Sequence, residues 1–201
     1  MLRKCFELSS LVPLTVYVLI HTGSYLGALF GATRFGVSAG NGLELALEVA
    51  LVWVPLAFHV GYGIWLSQTS LEQPSAERTR SLLLRASGFA ALAFIAYHAF
   101  CFRLPILRGE RDGTDVANQL ALSLSTTEWG IPIPAIVHLL GLAVVSVHLA
   151  AGLARFIETW RLASAARAEL VARVLSIALF AASSASVIEL ATGSALPNFV
   201  R

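Results

Sequence analysis

The chain has 201 residues, of which 57% are hydrophobic and 13% are charged, and its formal net charge is +2. A soluble domain carries about 45–50% apolar and about 25% charged residues, so this composition excludes that class and indicates an integral membrane protein. The small positive charge gives no reason to expect a nucleic-acid partner.

Five apolar stretches are long enough to cross a bilayer, for which a helix needs about 20 residues. They are predicted at residues 11–30, 44–66, 82–102, 131–156 and 170–191. Together they predict an all-α fold, a bundle of five transmembrane helices that makes up a single domain over residues 1–201. Basic residues precede the first stretch, but no convincing cleavage site follows it, so we interpret it as a retained helix rather than a signal peptide.

The loops between these stretches predict the orientation. With a cytoplasmic N-terminus, the inner loops hold more of the lysines and arginines than the outer loops do. An excess of these residues marks the cytoplasmic side of a membrane protein. The sequence therefore predicts a cytoplasmic N-terminus and an outer C-terminus. Residues 103–130 then form an outer connection, in which residues 116–125 are expected to fold as a short interfacial helix.

Each of the first four predicted helices contains an intramembrane histidine, and such polar groups usually mark a functional site. They are His21, His59, His98 and His148. At 1.5 Å of rise per residue, His59 and His148 fall in the inner half of the bilayer. His98 falls in the outer half, and His21 lies near the middle of its helix. Depth therefore pairs His59 with His148 and His21 with His98.

Facing imidazoles on different helices are an arrangement that can hold haem b through two axial ligands. We therefore predict that the bundle encloses two haems, with these four histidines as the iron ligands. Glycines near the ligands fit a porphyrin lying close to the backbone, although close helix packing explains them equally well. They are Gly61, Gly63, Gly88, Gly141 and Gly152.

A fifth histidine, His138, precedes His148 by ten residues and shares its face of the fourth helix. It could replace His148 as a ligand only by pairing in the outer layer. We interpret it instead as a polar group near the outer haem that hydrogen-bonds a quinone carbonyl or a propionate. An interfacial histidine without a catalytic role is the plainer alternative.

Charged residues near the helix ends supply further candidates. Glu48 is predicted near the outer surface, where it could exchange protons at a quinone site, and with His138 it forms the predicted catalytic set. A solvated interfacial carboxylate is the alternative for Glu48. Arg85 and Arg155 lie at inner helix ends, and a guanidinium can bind a haem propionate through two parallel bonds. Each arginine could instead anchor its helix at the lipid headgroups.

The surroundings of these histidines resemble those in one family, the single-polypeptide di-haem cytochrome b anchors of succinate:quinone oxidoreductases. Residues 56–63 (LAFHVGYG) look like the second-helix signature of that family, and residues 84–88 (LRASG) with Tyr97 and His98 look like its third-helix segment. Residues 148–153 (HLAAGL), followed by Thr159 and Trp160, are similar to its fourth-helix segment. The resemblance covers nearly the whole chain.

This resemblance implies the same ligand pairs, with His59 and His148 for the inner haem and His21 and His98 for the outer haem. It favours His148 over His138, because only His148 is followed by the Gly-Leu and Thr-Trp pattern. It also implies a bacterial cytoplasmic membrane location, with a flavoprotein subunit and an iron–sulfur subunit docked on the cytoplasmic face. Electrons from succinate would reach a quinone, which we expect to be menaquinone, and a higher oligomer of the complex is compatible with this assembly.

The chain has no site for succinate itself, so the resemblance makes it one subunit of an enzyme. Some fumarate-reducing relatives carry a glutamate two residues before the fourth-helix ligand, where this chain has Ser146, and this favours succinate oxidation. The alternatives are a quinol-oxidising di-haem anchor of fumarate reductase or of another respiratory oxidoreductase, and a transporter that handles protons or metal. Transporters usually show internal repeats or broken helices, neither of which the sequence shows.

Overall fold

The computed structural model describes residues 5–9, 15, 17–19, 21–23, 42–69, 75–110 and 113–192. Within these ranges the chain is helical, and the isolated bridge between Glu128 and Ile131 is the one β-type pairing. The all-α prediction is therefore confirmed for the described residues. Most of the first predicted span, residues 11–30, lies outside them, although residues 17–19 and 21–23 are helical.

Seven α-helices and two π-helical turns follow along the described chain from residue 42. They are α1 (Gly42–Glu48), a π turn (Val49–Trp53), α2 (Val54–Thr69), α3 (Ser75–His98), a π turn (Ala99–Arg103), α4 (Leu104–Leu107), α5 (Gly113–Ser125), α6 (Ile133–Thr159) and α7 (Ala165–Thr192). Helix α5 includes the predicted interfacial helix.

Four helical segments are long and apolar enough to cross a membrane, and they overlap the second to fifth predicted spans. They are Leu45–Gln68, Thr79–Leu107, Ile133–Thr159 and Ala165–Thr192. Many large apolar side chains on these segments are exposed, among them Leu51, Phe100, Leu140 and Ile177. In water such a surface would be costly, whereas a lipid bilayer solvates it.

Each of the two π turns lies within one of these segments and adjoins a predicted site residue. The first begins directly after Glu48, and the second begins directly after His98 and ends at Arg103. A π turn inserts an extra residue into the helical ladder and changes which face the following side chains occupy. Here the two turns lie at the same end of the bundle, since Arg103 binds Glu48 across the helices.

The bundle is packed most closely around α6. This helix runs against α3 on one side and α7 on the other, and α5 packs across α6 and α7. Leu124 is fully buried there, in a cluster with Leu120, Ala135 and Leu190. By contrast, none of the apolar window of Leu45–Gln68 is buried. The segment that carries His59 is therefore the least buried of the four.

Candidate functional site

The first candidate site is formed by His59 on α2 and His148 on α6. Their ring centroids lie 6.2 Å apart, and their planes are inclined at 75°. A metal ion held between two imidazole nitrogens, at about 2 Å from each, separates the ring centroids by roughly 6 Å. The two rings therefore have the spacing that a shared iron needs. Phe6 stacks on the ring of His59 with the centroids 4.4 Å apart.

A serine on α3 fixes the orientation of one of these rings. Ser87 Oγ lies 3.2 Å from His148 Nδ1, and Ser87 Oγ donates to the carbonyl oxygen of Leu83 at 2.6 Å. Because the hydroxyl proton is committed to Leu83, the serine oxygen accepts from His148 Nδ1–H. The Nε2 atom of His148 is then the one with a free lone pair. Metal-binding histidines usually donate their other ring N–H in this way.

Gly88 brings α3 close to the same imidazole. A Cβ atom at this position would lie 3.0 Å from Cε1 and 3.4 Å from Nδ1 of His148. Any larger residue would therefore press on the ring or on the bond to Ser87. Gly88 has a direct contact with a candidate ligand, whereas at Gly61 and Gly152 no atom of the described residues lies within 4 Å of an added Cβ.

The second candidate site is formed by His21 and by His98 at the end of α3. Their ring centroids are 6.0 Å apart with the planes at 88°, so this pair also has the spacing for a shared iron. Tyr17 stacks on the ring of His21 at 5.4 Å. Thr22 Oγ1 lies 3.2 Å from Ser183 Oγ on α7, which holds the short segment of His21 against the bundle.

The two pairs lie in separate layers along the bundle axis. His98 contacts His138, while His148 follows His138 by ten residues on α6, a rise of about 15 Å. On α3, Ser87 at the first site and His98 at the second are eleven residues apart, a rise of about 16 Å. Two helices thus give the same separation of the layers independently.

Phe94 and Gly141 occupy the interface of α3 and α6 near the second layer. The Phe94 ring lies 5.9 Å from the ring of His98 and 5.8 Å from that of His138. A Cβ atom added at Gly141 would overlap this ring, so the position accepts no side chain while Phe94 stays in place. The glycine is therefore needed for helix packing here.

His138 is placed in the second layer, as its position on the fourth predicted helix implied. It is 4% exposed, and its Nδ1 donates to the carbonyl oxygen of Pro134 at 2.8 Å. Its ring centroid is 5.7 Å from that of His98. The structure therefore brings three histidines together in this layer, whereas the first layer has two.

Glu48 lies in a cluster of polar side chains at the end of the bundle nearer to His98. Arg103 Nε donates to Glu48 Oε1 at 2.9 Å, and Arg103 Nη2 binds Oε2. Trp53 Nε1 also donates to Glu48 Oε1 at 2.9 Å. The side chains of Arg103 and Glu48 are 13% and 19% exposed. The carboxylate is thus part of a largely buried ion pair between two helical segments.

The predicted propionate partners lie toward the opposite end. Arg85 precedes Gly88 by three residues on α3, so the two share a face, one turn apart. Arg155 follows His148 by seven residues on α6, which is two turns on the same face. Beyond them, Arg80 binds Glu158 with contacts of 2.8 and 3.2 Å and joins α3 to α6.

Ser87 and Phe94 were not among the predicted site residues. Arg103, at the outer end of the third predicted helix, was a candidate propionate partner or headgroup anchor, and it binds Glu48. Ser87 had a usable signal, because it is a polar residue inside an apolar run, eleven residues before His98. Its depth therefore matches the layer of His59 and His148. Phe94 had no comparable signal, since an aromatic residue in an apolar helix looks like any other packing residue.

The chain is 23% identical over 190 residues to the succinate dehydrogenase cytochrome b558 subunit of Bacillus subtilis (strain 168), and the match covers 90% of each chain. The resemblance to the cytochrome b anchors of succinate:quinone oxidoreductases is confirmed. No family model and no solved structure matches the chain. With four apolar helices of spanning length, this homologue of a succinate dehydrogenase cytochrome b is a multi-pass membrane protein.

Proposed function

We propose that the chain is the membrane-anchor cytochrome b subunit of a succinate dehydrogenase, which binds two haems b and delivers electrons to a quinone. The observation that supports this best is the pair of facing imidazole sets, with centroids 6.2 and 6.0 Å apart on different helical segments. An iron between two imidazoles needs four further ligands, and a porphyrin supplies them. The likeness to a succinate dehydrogenase subunit supports the same assignment.

In this proposal His59 and His148 hold the inner haem, and His21 and His98 hold the outer haem. Each haem, when bound, supplies a one-electron carrier within the membrane. The protein orients the ligands and excludes water from them. Ser87 holds the tautomer of His148, and the close contact at Gly88 keeps that ring in place. Arg85 and Arg155 are the proposed propionate partners at the inner side.

The orientation follows from the loop charges, with the N-terminus in the cytoplasm of a bacterium. A flavoprotein subunit and an iron–sulfur subunit then dock on the cytoplasmic face, nearer to the layer of His59 and His148. The ion pair of Arg80 and Glu158 lies on this side and stiffens the ends of α3 and α6. Electrons would enter the membrane at this end and leave it near the layer of His21 and His98.

We propose a menaquinone site near this outer layer, with Glu48 as its proton-exchanging carboxylate. Arg103 and Trp53 hold the carboxylate in a fixed orientation, so it can take part in proton exchange only when Arg103 releases it. For His138, the second residue predicted at the quinone site, the surroundings favour a role beside the outer haem. Its ring is enclosed by the side chains of Phe94, Tyr97 and Phe102 and by the ring of His98.

Succinate oxidation is the proposed direction of the reaction. Ser146, two residues before His148, is buried at 8% exposure on α6. A serine at this point supplies no carboxylate for the proton route that some fumarate-reducing relatives have. A quinol-oxidising anchor with the same two haems is the second candidate, and the chain's likeness to a succinate dehydrogenase subunit favours the first.

The test is a dithionite-reduced minus oxidised spectrum of the purified complex together with a pyridine haemochrome count. We expect two haems b per chain. Replacing His59 or His148 with alanine should remove the inner haem alone, and replacing His21 or His98 should remove the outer haem alone. A complex without haem contradicts the proposal, as does a count of one haem in the unsubstituted protein.

A further inference from the structure

His138 has surroundings that an interfacial histidine would not need. Its ring is packed among three aromatic side chains and the ring of His98. The centroids of Phe94, Phe102 and Tyr97 lie 5.8, 5.9 and 6.1 Å away. With 4% exposure, it is one of the most buried polar residues in the described chain. Burying an imidazole this deeply is costly unless its two nitrogens are hydrogen-bonded.

Only one of these nitrogens has a partner in the structure. Nδ1 lies 2.8 Å from the Pro134 carbonyl oxygen, which can only accept, so the proton of the neutral ring is on Nδ1. Nε2 is then an acceptor. It is buried and has no hydrogen-bond partner among the described residues. The ring therefore carries an acceptor lone pair that faces the protein interior.

The complementary donor lies on the neighbouring histidine. Nδ1 of His98 is also buried and has no partner in the described part of the chain. If Nε2 of His98 is used for the iron, its Nδ1 carries the proton and must donate it. Two imidazoles joined by an N–H···N bond have centroids roughly 5 Å apart, and those of His98 and His138 are 5.7 Å apart. An approach of the two rings by about half an ångström closes the bond.

We propose that His138 is a positioning residue for His98. Its Nε2 accepts a hydrogen bond from Nδ1–H of His98, and its own Nδ1–H donates a hydrogen bond to the Pro134 carbonyl oxygen. This satisfies both orphaned nitrogens at once and turns Nε2 of His98 toward His21. The inference rests on the proposed function, because it assumes that His98 is an iron ligand.

The inner site contains a hydrogen-bond network of the same kind, in which a serine takes the place of His138. His148 donates from Nδ1 to Ser87 Oγ, which donates in turn to the Leu83 carbonyl oxygen. Each site thus has a ligand histidine, one relay side chain and one helix carbonyl. The alternative for the outer site is that His138 itself is the iron ligand in place of His21. That arrangement leaves the Nδ1 proton of His98 without an acceptor.

The experiment uses the whole complex carrying His138→Leu, with potentiometric titration of both haems, electron paramagnetic resonance of the oxidised haems and a haem count. We expect two haems to remain. The midpoint potential of the outer haem should rise, because a ligand that has lost its acceptor donates less electron density to the iron. The inner haem should keep its potential and its resonance signal.

Two further variants separate the hydrogen bond from a merely structural effect. His138→Gln places an amide oxygen near the position of Nε2 and should restore the potential of the outer haem. His138→Asn is polar but too short to reach His98, so it should reproduce the shift seen with leucine. Ser87→Ala is the reciprocal control, because it should move the potential of the inner haem only.

Unchanged potentials and signals in both the leucine and the asparagine variants overturn the inference while the proposed function stands. Loss of one haem in all three His138 variants, with both haems kept when His21 is replaced, also overturns it and makes His138 the ligand. Absence of haem from the unsubstituted complex is a different result. It is seen before any variant is made, and it removes the proposed function together with this inference.

Discussion

Both candidate haem sites need two imidazoles held at the spacing of a shared iron, but the side chains around the imidazoles differ between the sites. At the site of His59 and His148, the ligand ring touches α3 directly, since Gly88 and Ser87 both lie against His148. At the site of His21 and His98, aromatic rings surround the ligands, and the polar neighbour is another imidazole, His138. The first site also has an aromatic contact, since Phe6 stacks on His59 at 4.4 Å, so the two sites differ chiefly in the residues beside His148 and beside His98.

The difference follows from how α3 and α6 pack at each of the two histidine layers. Beside His148, Gly88 and the Ser87 hydroxyl on α3 lie against the ring. Beside His98, the interface of α3 and α6 is filled by aromatic side chains and by His138, and Gly141 leaves room there for Phe94. Substitutions on α3 and α6 should therefore affect the two sites separately, except at the contact of Phe94 and Gly141, which supports the interface itself.

Breaking that contact should have the largest effect. In Gly141→Ala the new methyl group would overlap the Phe94 ring. Overpacking of this kind typically costs about 1–3 kcal/mol, and here it pushes α3 away from α6. We expect lower thermal stability of the complex and reduced occupancy of both haems, measured by thermal unfolding and by the haem count.

The double variant Gly141→Ala with Phe94→Ala is the matched control. Removing the ring makes room for the methyl group, so the pair should be less destabilised than the sum of the two single variants. Additive losses would show that the contact in the structure does not govern the packing of these helices.

An intermediate effect is expected from Gly88→Ala, which should distinguish the two sites. The added Cβ, 3.0 Å from His148 Cε1, must displace the imidazole by a few tenths of an ångström and disturb its bond to Ser87. Disturbing the partner of a metal-binding histidine typically lowers affinity by about 10–100-fold. We expect weaker binding and a shifted potential of the inner haem, measured by redox titration, with the outer haem unaffected.

Ala90→Val supplies the control for this variant, since Ala90 lies on the same helix and is exposed. It should leave both haems as they are. An equal disturbance of the outer haem by Gly88→Ala would contradict the separation of the two sites.

The sequence predicted the layers of this arrangement better than the contacts within them. Helix rise alone put His59 with His148 and His98 in the opposite half, because depth along a spanning helix depends only on residue count. The ion pair of Glu48 was harder to predict, since its partner Arg103 is 55 residues away and reaches it beside two π turns. A π turn produces no hydrophobic periodicity in the sequence by which it could be recognised.

Contacts between side chains on different helices were equally difficult to predict from the sequence. The contact of Ser87 with His148 depends on how α3 is rotated about its own axis, and a run that is apolar on all sides does not fix this rotation. The requirement for glycine at residue 141 arises only because Phe94 points into the same gap. Both contacts depend on how a pair of helices packs, which the sequence of either helix alone does not determine.

The smallest effects should come from the ion pairs at the two ends of the bundle, and their difference should follow their burial. Glu158→Gln at the inner end removes a charge from a pair whose side chains are 36% and 26% exposed. Exposed pairs contribute about 0.2–1 kcal/mol and are screened by salt, so its effect on unfolding should be small and should fade at high ionic strength.

Glu48→Gln at the other end should be the more costly of the two, because Arg103 is only 13% exposed and would keep its charge without a carboxylate. Its cost should also persist in high salt, since a buried charge is poorly screened. Thermal unfolding of both variants at low and high salt makes the comparison. Equal costs with equal salt dependence would mean that water reaches the cluster around Glu48, and a quinone site there would then lack the dry surroundings that hold the carboxylate and Arg103 together.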